Sequence, residues 1–380
     1  MTGTNTNVTS PQRTQRTRRT QRPGPVLRFA VFTGVVALVS LALATGFVGA
    51  QPAVAREPGA RALWRGLAEA AQQAGRGGGQ NQNFDAVQIR VQPVQGNIYM
   101  LVGAGGNITV QIGKEGVLIV DTQFAPLSNK ILAAIRTLSQ APIRYIINTH
   151  VHGDHVGGNE NIRKAGATIA GGNVSGDIQD AAQGAQILAH DNVLKRMSAR
   201  GTPTPSPAAA WPTSTFIGDD KKLFFNGEGV HILHQPAAHT DGDSIVFFRR
   251  SDVISTGDIF TTTNYPVIDT ANGGTINGII DGLNKVIDLI IPVYGQEGGT
   301  MVVPGHGRLS DMGDVINYRE MATIIRDRVQ DMVNKGQTLE QVKAAKPTRD
   351  YDPVYGSTTG FWTTDAFVEA VYKTLSAKKS

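Results

Sequence analysis

The stretch Asn148-Thr149-His150-Val151-His152-Gly153-Asp154-His155-Val156-Gly157-Gly158 carries most of what can be argued about the fold of this 380-residue sequence. It follows the apolar, β-branched run at residues 143–147, which predicts a buried strand. His150 and His152 are two positions apart, so their imidazoles point the same way in an extended backbone, and Gly153 then lets the chain turn. Core packing does not require such a cluster of histidine and aspartate, and the stretch therefore indicates a metal site.

The residue types of this cluster suit two metal ions better than one. Neutral imidazole and carboxylate are zinc ligands, and a catalytic zinc keeps one position open for water. The four donors His150, His152, Asp154 and His155 exceed what one such ion needs, which suggests a second metal. The sequence has no cysteine, so disulfides, thiolate ligands and a cysteine nucleophile are excluded.

Three later residues lie in similar settings, each in a turn beside a predicted strand. They are His239 in Ala-His-Thr-Asp-Gly-Asp, Asp258 in Ser-Thr-Gly-Asp and His306 in Pro-Gly-His-Gly. The neighbouring glycines let the backbone approach closely. We interpret His190, His231 and His234 as structural or exposed histidines.

The order HxHxDH, a histidine before a strand, Gly-Asp after a strand and then Pro-Gly-His-Gly resembles the metallo-β-lactamase superfamily over about residues 87–335. The resemblance implies an α/β fold, the four-layer αβ/βα sandwich. In this fold two mixed β-sheets pack face to face, helices cover them outside, and the metals lie at one edge.

The resemblance also implies roles for individual residues. One metal would be held by His150, His152 and His239, the other by Asp154, His155 and His306, with Asp258 bridging the two. An aspartate in this bridging position is similar to glyoxalase II, lactonases and ribonuclease Z, whereas the cysteine-containing lactamases are excluded. The implied cofactor is two Zn²⁺, with iron or manganese as alternatives.

The implied mechanism uses a metal-bridging hydroxide as nucleophile, oriented by Asp154 and Asp258 as the catalytic residues. Asp121 follows the predicted strand at residues 117–120 and would hydrogen-bond the region of the metal ligands. Asp241 and Asp243 are expected to be turn residues, and Asn264 and Tyr265 remain outside the ligand set.

The rest of the chain alternates between strand and helix patterns, in two halves of similar texture. Strands are expected at residues 87–94, 97–102, 108–112, 117–120, 143–147, 167–170, 222–225, 230–234, 244–248, 253–255 and 300–303. Helices are expected at residues 126–138, after Gly158, at 174–197, 276–290, from 310 to a C-cap at Gly336, and at 364–375. Residues 198–212 contain four prolines and predict a loop.

The N-terminal region predicts export. Residues 1–55 contain six of the 36 basic residues and none of the 31 acidic ones, and residues 29–50 carry no charge. Small-residue cleavage sites follow, which favours a signal peptide over an uncleaved membrane anchor of the ~20 residues that a bilayer requires. The predicted domains are the signal peptide or anchor at 1–55, a flexible linker at 56–85 and the hydrolase domain at 86–378.

These features predict a periplasmic or extracellular hydrolase with a small-molecule substrate, an amide or ester of the β-lactam, lactone or thioester type. Without its leader the chain is close to neutral, so a nucleic-acid partner is not expected. Membrane contact would involve only residues 29–50, if they are not cleaved, and the oligomeric state is left open. The alternatives are an iron-dependent sulfur or persulfide dioxygenase on the same fold and a non-catalytic metal-binding protein.

Overall fold

The computed structural model describes residues 83–168, 184–199, 206–290 and 299–377. The predicted signal peptide or anchor at 1–55 and nearly all of the predicted linker at 56–85 lie outside these residues. Among the residues described, no helix is both long and apolar enough to cross a membrane.

The first sheet has seven strands in chain order, β1 to β7. The first four pair antiparallel, and β4 to β7 pair parallel, so the sheet is mixed. β-branched residues dominate its centre, where β4 is buried on both faces. The strands are Arg90–Gln95, Ile98–Val102, Ile108–Gly113, Gly116–Val120, Ile143–Ile147, Gln186–His190 and Ser214–Phe216.

The second sheet has five strands in the order β12-β11-β10-β9-β8, with only β11 and β12 parallel. Ser244 of β10 lies opposite His234 of β9, and Val253 of β11 lies opposite Met301 of β12. The strands are Asp220–Phe225, Glu228–His234, Ser244–Phe248, Val253–Ser255 and Met301–Val303.

Helices cover the outer faces of both sheets. Several of them begin with a side-chain cap that the sequence supplies; for example, Thr275 accepts from the backbone of Gly278, and Asp311 forms a capping box with Asp314. In chain order the α-helices α1 to α9 are Ser128–Leu138, Gly153–Val156, Asn159–Lys164, Asp191–Met197, Ile276–Leu289, Met312–Asn334, Leu339–Ala345, Asp352–Tyr355 and Thr364–Ser376.

The core has separate layers because strand side chains alternate between the two faces. On β4, Val117 and Ile119 pack with α1, whereas Leu118 and Val120 pack with Val246 and other residues of the second sheet. A further apolar cluster joins the second sheet to α5, α6 and α9. This arrangement confirms the predicted αβ/βα four-layer sandwich.

The topology brings the ends of several strands to one edge of the sandwich. Asp121 follows β4, His150 follows the parallel neighbour β5, Asp258 follows β11 and His306 follows its parallel neighbour β12. Because the carboxyl ends of parallel strands meet at the same edge of a sheet, the loops after these strands meet as well.

One predicted element is wrong and another is only partly described. The helix expected at 174–197 is interrupted by β6, Gln186–His190, and only Asp191–Met197 of the described part is helical. β6 is buried between its parallel neighbours β5 and β7. The apolar pattern of so short a run does not distinguish a buried strand from a segment of buried helix. Of the strand expected at 167–170, Ala167 forms a single bridge to Gly184, and residues 169–183 lie outside the described residues.

Candidate metal centre

The HxHxDH stretch lies where β5 leaves the core. The backbone bends at residues 149–151, and His152, in an extended conformation, precedes the short helix α2, Gly153–Val156. The turn of α2 brings His155 back towards His150, with their ring centroids 4.1 Å apart. Buried strand and tight turn together therefore hold the imidazoles of this stretch close to one another.

The first candidate cluster joins both halves of the chain. One donor atom from each of His150, His152, His239 and Asp258 lies within 4.8 Å of the others. Nε2 of His239 is 2.8 Å from Nδ1 of His152 and 3.7 Å from Oδ2 of Asp258. All four side chains converge on one small volume.

The second cluster consists of Asp154, His155 and His306. Nε2 of His306 lies 3.3 Å from Nε2 of His155 and 3.3 Å from Oδ2 of Asp154. Oδ1 of Asp258 is 3.2 Å from Nε2 of His155 and 3.3 Å from Nε2 of His306. Asp258 therefore faces both clusters, one oxygen towards each, and the structure brings together all seven residues singled out in the sequence.

The outer nitrogen of four of these imidazoles is held by a partner outside the clusters. Such contacts fix the tautomer and the orientation of a ligand histidine. Asp121 has a further role, because it also accepts from the backbone N–H and the hydroxyl of Thr149. The four contacts are His150 Nδ1 to Thr149 Oγ1 at 3.0 Å, His152 Nε2 to Asp269 Oδ2 at 2.8 Å, His155 Nδ1 to Asp121 Oδ2 at 2.8 Å and His239 Nδ1 to the Val267 carbonyl at 2.7 Å.

Burial and the neighbouring charges set the protonation states of the side chains in the two clusters. Burial, with a smaller contribution from neighbouring imidazoles, holds the pKa of His150 well below its usual value and lowers that of His239 to about 4. Burial alone would raise the pKa of Asp154 and Asp258, but the facing imidazoles outweigh it and keep both pKa values low. At neutral pH His150 and His239 are therefore neutral imidazoles and the two aspartates are carboxylates, the forms that bind metal. Burial opposes protonation of His155, but the facing carboxylates outweigh it and raise its pKa well above the usual value, so a metal ion would displace a proton there.

Two buried atoms show that the donor set fits metal ions. Nε2 of His150 and Oδ1 of Asp258 have no hydrogen-bond partner among the described residues, although both are buried. A buried polar atom without a partner is costly, and here both atoms point into the clusters. Divalent ions bound by imidazole and carboxylate would satisfy these atoms.

Glycine permits the closest backbone approaches to the clusters. A Cβ at Gly106 would collide with the ring of His155, and a Cβ at Gly305 would collide with Oδ1 of Asp258. Gly106 lies in the β2–β3 loop, whose next residue, Asn107, donates to the Pro304 and Gly307 carbonyls on either side of His306. Asn107, in the first half of the chain, thereby holds the loop of the second half that carries His306.

The remaining residues discussed from the sequence have other surroundings. His190 and His234 stack on each other, with centroids 3.5 Å apart, and neither belongs to the two clusters. Asp243 accepts from the backbone N–H and the hydroxyl of Thr240, as expected of a turn residue. Asp241 pairs with Arg196.

Two contributors were not found by sequence reasoning, Asp269 and Asn107. Both act through hydrogen bonds to residues that are more than a hundred positions away in the chain. The segment Asp269-Thr270-Ala271-Asn272 does offer a local pattern, since Asp269 caps a short 3₁₀-helix, but that pattern indicates a turn and not a contact to His152.

Comparisons with known proteins agree with this geometry. The family model described as the metallo-beta-lactamase superfamily matches residues 93–328. A linear primary-alkylsulfatase from Pseudomonas sp. (strain ATCC 19151) is 26% identical over 274 residues, which is 63% of this chain and 50% of that protein. The chain thus spans about half the length of this curated relative.

The fold is also seen in a solved structure. A stereoselective inverting sec-alkylsulfatase from Pseudomonas sp. superposes with a TM-score of 0.51 and 14% identity, over 77% of this chain and 50% of that one. A metallo-β-lactamase from Pontibacter korlensis gives a TM-score of 0.45 and 14% identity, over 62% and 99% of the two chains. From the family match and the geometry together, this chain belongs to the metallo-β-lactamase superfamily and carries a candidate site for divalent metal ions.

Proposed function

We propose that this chain is a binuclear metal-dependent hydrolase of a small ester or amide, with zinc as the favoured metal. The observation that carries the proposal is the position of Asp258, whose two carboxylate oxygens face the two clusters. His150, His152 and His239 would hold one ion, and Asp154, His155 and His306 the other. Bound there, two divalent ions would supply a water of lowered pKa as nucleophile and a Lewis acid for the substrate.

The exposure of the side chains indicates where a substrate would approach. Those of His155 and His239 are fully buried, whereas that of His152 is 29% exposed and that of Asp154 is 18% exposed. A substrate would therefore enter from the side of His152 and Asp154. The carboxylate of Asp154 is the more exposed of the two candidate catalytic aspartates, and in the proposal it accepts the proton of the attacking water.

Two partly buried apolar side chains, Val151 and Trp211, are here called the apolar border. Val151 lies between His150 and His152 in the chain, and both side chains pack against a buried apolar cluster that contains Val193 and Met197. The apolar border supports a substrate whose reacting group carries an apolar substituent. Carboxylic esters and amides of the β-lactam, lactone or thioester type meet this description.

A second candidate is hydrolysis of a sulfate ester. It is favoured by the 26% identity with a linear primary-alkylsulfatase, and an alkyl chain would suit the apolar border. Both candidates use the same two clusters and differ in the electrophilic centre, carbon in the first and sulfate in the second.

The proposed test combines metal analysis with turnover. Purified protein would be analysed for its metal content and assayed with a β-lactam, a lactone, a thioester, a phosphodiester and a linear alkyl sulfate. We expect two divalent ions per chain and turnover of an ester or amide. Release of inorganic sulfate, without turnover of the other substrates, would select the second candidate. One iron per chain with oxygen uptake would favour the dioxygenase alternative and overturn the hydrolase, and absence of bound metal would overturn both.

We propose further that the hydrolase acts outside the cytoplasm. The support is the arginine-rich, acid-free segment followed by the uncharged residues 29–50. Cell fractionation and N-terminal sequencing of the expressed protein test it. Full-length protein in the cytoplasmic fraction would contradict export.

A further inference from the structure

A single segment, residues 261–269, contacts three of the candidate ligand histidines, and we call it the strap. Its Thr262 donates from the backbone to the His306 carbonyl at 3.1 Å, and the hydroxyl of Thr261 donates to the same oxygen at 3.2 Å. Further along, the Val267 carbonyl accepts from Nδ1 of His239. At its end, Asp269 accepts from Nε2 of His152. The strap therefore serves both clusters.

The strap is itself fixed by the helices of the C-terminal part. Tyr265, at its middle, is 1% exposed, and its hydroxyl donates to Oδ1 of Asp352 at 2.8 Å and to the Thr348 carbonyl at 3.1 Å. The ring of Tyr265 stacks on Phe367 of α9 at 4.6 Å, with 5° between the planes.

Three further bonds hold the residues on either side of Tyr265. The hydroxyl of Tyr318 on α6 donates to the Asn264 carbonyl at 3.0 Å, and the indole N–H of Trp362 donates to the Pro266 carbonyl at 3.1 Å. The backbone N–H of Tyr265 donates to the Tyr355 carbonyl at 3.3 Å. Most of these anchors lie beyond residue 328, where the family match ends.

We infer that Tyr265 is a positioning residue: it ties the strap to the C-terminal helices and so sets the orientation of the ligand histidines, chiefly His239 and His152. Val267 is two positions and Asp269 four positions beyond Tyr265 in the chain, so a shift of its backbone moves both acceptors. A ligand histidine whose outer N–H loses its acceptor rotates or changes tautomer, and metal affinity falls. The inference rests on the proposed metal centre.

The test compares the metal affinities of two tyrosine-to-phenylalanine variants of the full chain. Tyr265→Phe keeps the ring and removes the hydroxyl that reaches Asp352. Tyr372→Phe is the matched control, because its hydroxyl donates to the Gln337 carbonyl from α9 and has no contact with the strap. Metal-free protein would be titrated with Zn²⁺ against a chelating indicator, and the visible spectrum would be recorded with Co²⁺.

We expect Tyr265→Phe to weaken one of the two binding steps by about tenfold, at the lower end of the effect of removing a direct hydrogen-bond partner, and to alter the Co²⁺ spectrum. Trp362→Phe, which frees the Pro266 carbonyl, should act in the same direction. Tyr372→Phe should bind like the parent.

Two results would overturn the inference, and they are distinguishable. If Tyr265→Phe loses unfolding free energy but binds both ions like the parent, the role of Tyr265 is only structural. If the parent binds no Zn²⁺ at all, the proposed function fails, and the inference fails with it.

Discussion

His152 and Asp269 lie 117 positions apart in the chain, yet Nε2 of the imidazole is 2.8 Å from Oδ2 of the carboxylate. The contact raises the pKa of His152 against the opposing effect of burial and helps to keep the pKa of Asp269 low. With Nε2 carrying the hydrogen, Nδ1 is the donor atom left for the first cluster, where it faces Nε2 of His239. The aspartate thus selects which nitrogen of His152 a metal can use.

Loss of this carboxylate should weaken the first metal site. In Asp269→Ala we expect the affinity for one of two ions to fall by about 10–100-fold, the range typical of removing the partner of a ligand histidine. Asp269 also accepts from the backbone and the side chain of Asn272, so the change removes a cap as well.

Asn272→Ala is the comparison, because it removes only the side-chain bond to Asp269 and leaves the backbone cap and the contact to His152 in place. Both metal-free variants would be titrated with Zn²⁺, and we expect Asn272→Ala to bind like the parent. Equal losses in Asp269→Ala and Asn272→Ala would show that the bond to the Asn272 side chain matters and the tautomer of His152 does not.

Asp258 should matter more than any single histidine, because it is the residue that faces both clusters. We expect Asp258→Ala to lose most of its bound metal and to reduce turnover by more than about 100-fold. This is a larger effect than that of removing the hydrogen-bond partner of a ligand histidine. Asp327→Ala is the control, since Asp327 is exposed on α6 and pairs with its neighbour Arg326. Metal analysis and initial rates check the prediction, and parental metal content in Asp258→Ala would remove the bridging role.

Much of the fold was predictable because buried strands have apolar patterns that can be recognised locally in the sequence. The strands at 143–147, 244–248 and 253–255 have the predicted bounds, and each is a short apolar run ended by turn residues. The strand Gln186–His190 was predicted as helix because its neighbours are helical in composition. Its state is set by β5 and β7 on either side, which a local pattern does not contain.

The candidate site likewise contains residues that a local motif identifies and residues that only long-range contacts identify. His150, His152, Asp154 and His155 form a local motif, and motifs of this kind can be recognised without knowing the fold. Asp269, Asn107 and Tyr265 contribute through long-range hydrogen bonds, so their identity alone says nothing about their partners. Tyr265 stands outside the predicted ligand set, and the structure shows it buried and stacked on Phe367 of α9.

Two glycines beside the clusters allow a steric prediction. Alanine at Gly106 would place a methyl group against the ring of His155, whereas alanine at Gly153 has no atom within 4 Å of its Cβ. We expect Gly106→Ala to displace His155 and to lose the second ion, at a stability cost of about 1–3 kcal/mol for overpacking. Gly153→Ala should retain both ions. Metal analysis of the two variants checks the prediction. A Gly106→Ala protein that binds two ions would show that the β2–β3 loop moves to accommodate the methyl group.

The stacked pair His190 and His234 predicts a pH dependence away from the metal clusters. Burial, followed by repulsion from His234, lowers the pKa of His190 to about 4. The unfolded chain, with a histidine pKa near 6.5, then binds more protons than the native one between pH 4 and 6.5, so this residue makes the free energy of unfolding fall as the pH falls through that window. Protonation would also remove the Nδ1 lone pair that accepts from the backbone of Asn192 and caps α4.

His190→Asn should therefore flatten the pH dependence of stability, since asparagine retains a cap and does not titrate. The measurement is urea unfolding of parent and variant at pH 4.5, 5.5, 6.5 and 7.5 in the metal-free state, where the ligand histidines titrate in both proteins and cancel in the difference. We expect the parent to lose more free energy than the variant between pH 6.5 and 4.5, and little difference in slope above pH 7. Parallel curves over the whole range would mean that His190 is protonated in the folded protein as readily as in the unfolded chain.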